Sequence, residues 1–484
     1  MRDRLSPLDA LFLYTEDGTT HMHIGSCAIF EGPAPTIDEV SRLIESKLPL
    51  ITRYRQRIRF IPAGLGHPVW VDDDTFNLEY HVRHSALPTP GEAPELDNLM
   101  GRLMSKELDR DRPLWEAWLI EGLSDNRWAL ISKVHHCMVD GVAGTDLMTV
   151  LLDGERSVSR PPAQRWRPTP SPSDAQLLLE AAVQLVAAPT RQLASMWSGV
   201  LHPRRSFDRA SIVLTGFRSF AEQLLIPAKG TSVQGTIGPN RRWSAARGRL
   251  DDVAAIRTAF GGSVNDVVLA AIAGAFRSLL LARGEAVMDD AVLNSLVPVS
   301  TRASGDHASN NQVSLIIAEL PIGIADPVQR LAAVRSQMNA LKSSHQVESV
   351  HAVVDAAGLV PPATLALAGR AIMTMMHTRP QRVINTVTTN VPGPQFPLYA
   401  LGREMLEYLP YVPVSAGVRV GVAILSYNGL VSFGVTGDYD TAPDVQLMAG
   451  HIEAELAALG ARAKSQQKSR RQKPRRARRG KVVT

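Results

Sequence analysis

Two rhythms of apolar residues alternate along the chain. Short runs with period two, or unbroken apolar runs bounded by turn residues, predict strands, and apolar positions three and four apart predict helices. On this reading His21 to Phe30 is a strand and Ile37 to Leu48 a helix. Pro68 to Val71 and Leu78 to Val82 are short strands, and Leu96 to Leu108 is a helix. Trp115 to Ile120 and Trp128 to Val134 form a hairpin through the polar turn Ser124-Asp125-Asn126. Further on, Val264 to Ala282 predicts a long apolar helix, Val292 to Val299 and Val313 to Leu320 strands, and Val328 to Leu341 a helix. Pro327 stands where a first helical turn tolerates it. Val383 to Val391, Val418 to Ser426 and Leu430 to Val435 are strands, and Ala442 to Leu459 is a terminal helix.

The punctuation between these elements suggests a division. Residues 159–173 are rich in Pro and Ser and suit a connector. Asp174 to Ala187 follows as an apolar helical stretch, and Gly230 to Asn240 is a second linker. The expected fold class is therefore α/β with mixed sheets. Residues 1–160 form an N-terminal domain, 161–240 a linker and helical connector, 241–460 a C-terminal domain, and 461–484 a disordered basic tail.

Length and composition change this picture little. At ~150 residues per domain, 484 residues predict two or three. Hydrophobic residues at 45% and charged residues at 20% are ordinary for a globular protein. Charge is more informative. Eleven Lys or Arg and no acid lie from Arg462 onward, so removing them from the net +5 leaves −6 for the body. The basicity belongs to the tail, which can be drawn to anionic lipid. Nothing in the body supports nucleic-acid binding. Two cysteines, Cys27 and Cys137, make no disulfide framework and fit a reducing compartment. The N-terminus lacks the apolar core of a signal peptide, and no stretch of ~18 uncharged apolar residues predicts a membrane span.

The chemistry concentrates at His135-His136-Cys-Met-Val-Asp140-Gly141. A strand ends at the two histidines, Gly141 loosens the chain, and Val142 to Leu152 has helical spacing. Such a corner presents side chains into a cleft from a rigid scaffold. Adjacent residues of an extended segment point to opposite faces, so one histidine can face the cleft and the other support it. That geometry weighs against a shared metal, and His21 and His23, two apart on one strand face, have no obvious completing ligands. A histidine, with a reference pKa near ~6.5, suits general base work. The bland alternative for His136 is a hydrogen-bonded core histidine. Asp140 fixes the turn or pairs with an arginine, Cys137 is most simply a small apolar filler, and Asn265-Asp266 is either a helix cap or part of a site.

The heptad, with five further blocks, carries a resemblance. Leu5-Ser-Pro-Leu-Asp9, Pro113-Leu-Trp115 running on to Gly122-Leu123, Val264-Asn265-Asp266, Val297-Pro-Val-Ser300-Thr-Arg302 and Thr389-Asn-Val-Pro-Gly-Pro394 stand in order over most of the chain. With them the chain resembles the bacterial wax ester synthase/diacylglycerol acyltransferase family. The heptad alone is also found in peptide-synthetase condensation domains and chloramphenicol acetyltransferase relatives. The chain departs from the family pattern at His21-Met22-His23 and Asn310-Asn311.

The resemblance implies two chloramphenicol-acetyltransferase-like domains with a channel between them. It implies transfer of an acyl group from acyl-CoA to diacylglycerol or a long-chain alcohol, with His136 as general base and His135, Asp140 and Gly141 as its setting. Asn265 is the candidate for positioning or oxyanion support. Ser300, Arg302, Pro392 and Gly393 are candidates for substrate binding. Arg302 either meets the nucleotide's phosphates or pairs with Asp140, and both stay open. Acyl-CoA is a co-substrate, and no cofactor or metal is expected. The expected place is the cytoplasm, peripherally on a membrane or lipid droplet. The alternatives are a condensation-type enzyme using carrier-protein thioesters and a non-catalytic lipid-surface binding protein.

Overall fold

Alternation along one hairpin decides how the first half is layered. In the computed structural model, strands β5 (Trp115–Leu123) and β6 (Arg127–His135) pair antiparallel about a turn whose Asp125 and Asn126 take φ of 59° and 54°. Both residues tolerate the left-handed region that tight hairpins demand. Trp128, Leu130 and Val134 of β6 join Trp115 and Leu119 in one core, while Ala129 and Ile131 face the opposite side of the sheet. The structure describes residues 3–139, 147–157, 166–183, 230–300, 313–343, 383–415 and 417–472, with positions 367 and 374.

Two six-stranded mixed sheets organise these residues. The first runs β11 (Tyr399–Ala400), β12 (Arg403–Tyr411), β1 (His23–Phe30), β6, β5, β4 (Val82–Ala86). The second runs β7 (Arg241–Arg249), β14 (Leu430–Asp438), β13 (Val420–Tyr427), β10 (Thr386–Pro392), β8 (Leu293–Ser300), β9 (Val313–Leu320). A two-stranded ribbon, β2 (Gln56–Arg59) and β3 (Val69–Asp72), stands apart. Helices α1 (Pro7–Thr15), α2 (Ile37–Lys47), α3 (Leu78–His81) and α4 (Ala93–Met104) belong to the first half. The helix Val264–Ala282 is the centre of the second core, with Val267 to Ala273 almost wholly enclosed.

The halves interlock rather than sit side by side. Strand β12 comes from the second half of the sequence yet pairs antiparallel with β1, Gly25 opposite Tyr411 and Cys27 opposite Leu409. Its Pro410 carbonyl passes so close to Gly434 of β14 that a Cβ there would lie 1.7 Å away, and Trp243 Nε1 donates to the same carbonyl at 3.1 Å. Only a glycine permits that crossing. Helix α4 fills the space between the first sheet and Trp243 of β7. A division drawn at residues 160 and 241 does not contain this exchange, because β12 lies on the wrong side of it.

Several local expectations are corrected. Leu78 to Val82 is not a strand: Asn77 Oδ1 accepts the Glu79 N–H at 3.0 Å and caps the short helix α3, so β4 begins at Val82. The terminal helix runs Val445–Gln472, so residues 461–472 are not a disordered tail. Ala463 is enclosed in the second core, and Arg462 and Lys464 lie 3.7 Å from Asp326 and Asp252, which together continue the helix past Leu459. Residues 473–484 are outside the described part. Within the connector, residues 174–183 are helical, and Leu177 and Ala181 pack on Val69 and Val71 of the ribbon and on Ile61 between its strands.

Candidate active site

The site begins with the helix that the first sequence block starts. Ser6 Oγ caps α1 by accepting the Asp9 N–H at 3.1 Å, and Pro7 occupies the first turn, where its missing N–H costs nothing. The helix so aimed carries Phe12 onto the ring of His136, with centroids 4.0 Å apart and planes 27° apart. One residue beyond its end it places Glu16 below the strand that bears His135.

His135 and His136 are held in different ways. The His135 N–H donates to the Leu114 carbonyl at 2.9 Å, closing the strand within the Pro113-Leu-Trp115 block. The ring is enclosed, with Nδ1 accepting the Cys137 N–H at 3.2 Å and lying 2.9 Å from Cys137 Sγ. That assigns the proton to Nε2, which lies 3.4 Å from Glu16 Oε2. His135 is therefore a support, tied at Nδ1 and facing Glu16 with its other nitrogen.

His136 leaves the strand into a short 3-10 turn, His136–Met138. Its N–H donates to the Met22 carbonyl at 2.8 Å, which ties it to the approach of β1. The residue is half-buried; Nδ1 is enclosed without a hydrogen-bond partner, and Nε2 is engaged by none of the described residues. Burial, aided by the neighbouring His135, pushes its pKa down to about 4, so the ring is a neutral acceptor at physiological pH. Cys137 is also buried, which pushes its thiol well above the ordinary range and leaves it inert.

Glu16 is the functional residue that the sequence reading missed. Its Oε1 accepts the Met22 N–H at 2.9 Å and its Oε2 accepts from Arg110 Nη2 at 2.7 Å. Burial alone would raise this carboxyl, but contact with His135, the Met22 N–H and Arg110 holds it at about 2. It thus braces both histidines, one through its charge and the other through the backbone of Met22. The sequence signal was slight: an acid just past an apolar helix, before a turn.

The same strand face carries further buried polar groups. Lys133 Nζ donates to the carbonyls of Leu103, at 3.0 Å, and Lys106, while His23 Nε2 lies 2.9 Å from the Met104 carbonyl. They satisfy the open carbonyls at the end of α4. Burial lowers Lys133 to about 8 and His23 well below its usual value. In the His21-Met22-His23 segment, His21 Nε2 faces the Pro239 carbonyl at 3.1 Å.

In the second half the structure joins two blocks that the sequence kept apart. Asn390 Nδ2 donates to Asn265 Oδ1 at 3.2 Å. Asp266 instead completes a capping box: its Oδ2 accepts the Ser263 N–H at 2.7 Å and its N–H donates to Ser263 Oγ at 3.2 Å. Among the described residues no hydrogen bond joins Asn265 to His136. Gly393 follows β10 at a close approach, its N–H donating to the Ser426 carbonyl at 2.9 Å where a Cβ would lie 2.3 Å from that oxygen. Pro392 beside it is exposed. Asp140, Gly141 and Arg302 lie outside the described residues, and the side chain of Ser300, the last residue of β8, is not described.

Residues 5–268 match the family model described as wax ester synthase/diacylglycerol acyltransferase catalytic domain, and residues 309–460 match the WS/DGAT C-terminal domain. The chain is 38% identical to the Mycobacterium tuberculosis protein named "Probable diacyglycerol O-acyltransferase tgs1", over 97% of this chain and 98% of that one. It is 31% identical to the same organism's "Probable diacyglycerol O-acyltransferase tgs2", over 94% and 98%. Among solved structures it is similar to the wax ester synthase/diacylglycerol acyltransferase from Marinobacter aquaeolei VT8, with TM-score 0.67, 28% identity, and 95% and 100% of the two chains covered. A trichothecene 15-O-acetyltransferase from Fusarium sporotrichioides, 12% identical with TM-score 0.57 over 94% of each chain, shares the fold.

Proposed function

The chain belongs to the wax ester synthase/diacylglycerol acyltransferase family, and from that premise we propose that it moves an acyl group from acyl-CoA to the free hydroxyl of diacylglycerol, with His136 as general base. The product is triacylglycerol, and long-chain alcohols in the same position give wax esters. The observation that carries the assignment of the base is the ring of His136. It is stacked on Phe12, pinned through its backbone to Met22, kept neutral by burial, and free of described partners at Nε2.

Nε2 takes the proton of the acceptor hydroxyl as that oxygen bonds to the thioester carbonyl carbon. The carbonyl π electrons move to oxygen and form a tetrahedral oxyanion. When they return, the carbon–sulfur bond breaks, and the coenzyme A thiolate takes the proton from the imidazolium. No acyl-enzyme forms, so no serine or cysteine nucleophile is called on. Acyl-CoA is consumed as co-substrate and no further cofactor takes part. Asn265 is the proposed oxyanion donor: its Oδ1 is already occupied by Asn390, which turns its own Nδ2 away to donate.

Work at a lipid surface fits this chemistry, since diacylglycerol resides there. We place the protein peripherally on a membrane or lipid droplet. Support comes from Leu179 and Val183, 67% and 59% exposed along one stripe of the connector helix, and from the basic C-terminal segment.

Purified protein supplied with labelled palmitoyl-CoA and a panel of acceptors, beside His136→Ala, tests the reading. Loss of the base is expected to cut kcat by ~10²–10⁴ with little change in KM. Equal product from both proteins rules out His136 as the base.

A further inference from the structure

Between α1 and β1 the chain makes a tight turn that holds itself closed. Asp17 Oδ1 accepts the N–H groups of Thr19 and Thr20 at 2.8 and 2.9 Å and the Thr19 hydroxyl at 2.8 Å. The backbones of Asp17 and Thr20 exchange hydrogen bonds at 3.1 Å in both directions. This turn is a strap, because its two ends are the groups that hold the catalytic pair. Glu16 precedes it, and Met22, whose N–H meets Glu16 and whose carbonyl receives the His136 N–H, follows it.

The apex of the strap is fastened to the other half of the molecule. The Thr19 carbonyl accepts from Arg241 Nη2, and Arg241 is the first residue of β7. Its side chain is 1% exposed, so the guanidinium is held by protein groups alone. Nη1 donates to the carbonyls of Gly238 and Asn240 at 2.6 and 2.9 Å and lies 3.9 Å from Asp438 Oδ1 of β14. The Tyr411 side chain of β12 lies beside the same guanidinium, and the Arg241 N–H donates to Ser105 Oγ, just past α4, at 2.7 Å. His21, on the far end of the strap, meets the Pro239 carbonyl. One buried cation therefore touches the strap, the crossing strand and the second sheet.

We infer that Arg241 is a positioning residue for acyl transfer: by clamping the Asp17–Thr20 turn to the second half, it sets the Glu16 and Met22 groups that aim His136. Docking of the two halves is then a condition for an aligned base, not only for a closed channel. The inference rests on His136 being the base and goes beyond it by naming what holds that base in place.

Steady-state acyl transfer from palmitoyl-CoA to diacylglycerol, measured across pH with Arg241→Met and Arg241→Lys in the full chain, tests it. A loosened strap admits water around His136. The acid limb of kcat/KM should then move upward, from near 4 toward the ordinary imidazole value of ~6.5. With Arg241→Met, kcat is expected to fall by about tenfold or more while KM stays within about twofold, and Arg241→Lys should recover part of both. A folded Arg241→Met protein with the wild-type acid limb and kcat overturns the proposal. Should that variant not fold, Asp17→Ala removes the acceptor of the three strap bonds and leaves Arg241 in place. The same upward movement is expected, and an unmoved limb overturns the proposal. His136→Ala run alongside separates the two claims. If it keeps its kcat, the base assignment fails, whereas an inactive His136→Ala beside unmoved limbs in the strap variants removes only the coupling.

Discussion

Glu16→Gln removes one negative charge beneath His135 and His136 and almost nothing else. The glutamine keeps an oxygen for the Met22 N–H, so the change falls on the contacts with His135 and Arg110. The native carboxyl sits at about 2 against an ordinary 4.5. A gap of about 2.5, at about 1.4 kcal/mol each, makes its ionised form worth about 3 kcal/mol to the folded state. Solvent screening removes little of this, since the side chain is 5% exposed. Arg110 is 41% exposed and hydrates once abandoned, which places the cost of substitution nearer ~2 than ~5 kcal/mol. The sign with pH follows from the lowered carboxyl. The contribution is complete above 4.5 and is lost as pH falls toward 2, so the gap between wild type and variant should be constant from pH 7 to 5 and shrink below 4.5. Activity should suffer more than stability. With the charge gone His135 is less firmly held, and a resulting misplacement of about 1 Å at the adjacent His136 costs ~10² in rate. Denaturant midpoints from pH 7 downward and kcat with palmitoyl-CoA and diacylglycerol provide the check. A variant with wild-type kcat, or a stability gap that widens below pH 4.5, refutes the bracing role.

Other outcomes can be read in the same assays. The free enzyme's kcat/KM should fall on the acid side only near pH 4, because protonation of His136 removes the base; a limb centred near 6.5 contradicts its burial. Cys137→Ala should keep kcat within about threefold, and a collapse would revive a thiol nucleophile. Asp266→Ala should lower stability by ~1 kcal/mol through the lost capping box while the surviving enzyme turns over normally. Asn265→Ala should do the reverse, losing ~10²–10³ in kcat with the melting point nearly intact. Equal kinetic effects at the two positions would remove the oxyanion assignment.

What lay open in the sequence was whatever a local segment settles for itself. The helix Val264–Ala282 and the strand Val313–Leu320 were readable to the residue, because continuous apolar runs of those lengths, bounded by caps and turns, have few other ways to be buried. The hairpin carrying the histidines was equally legible, since Asp125 and Asn126 supply the φ its turn requires. A split of roles between His135 and His136 was expected from strand alternation, whereas the structure takes His136 off the strand into a 3-10 turn. Strands β7 and β12 were not legible. Arg241–Arg249 is crowded with arginines, and Arg403–Tyr411 mixes charges with a proline, so neither shows a clean period. Each becomes a strand because a distant partner offers its edge, Asp438 opposite Arg241 and Leu409 opposite Cys27. Glu16 and Arg241 were invisible for the same reason. A charged side chain has no periodicity to betray it, and its role arises only when burial strips away water and leaves particular carbonyls, hydroxyls and imidazoles as its remaining partners. The chain's own pattern thus determined most of the elements, the family blocks and the candidate for the base. Tertiary packing alone decided which groups aim that base, because desolvation gives a charge its partners and desolvation exists only after the two halves have closed on one another.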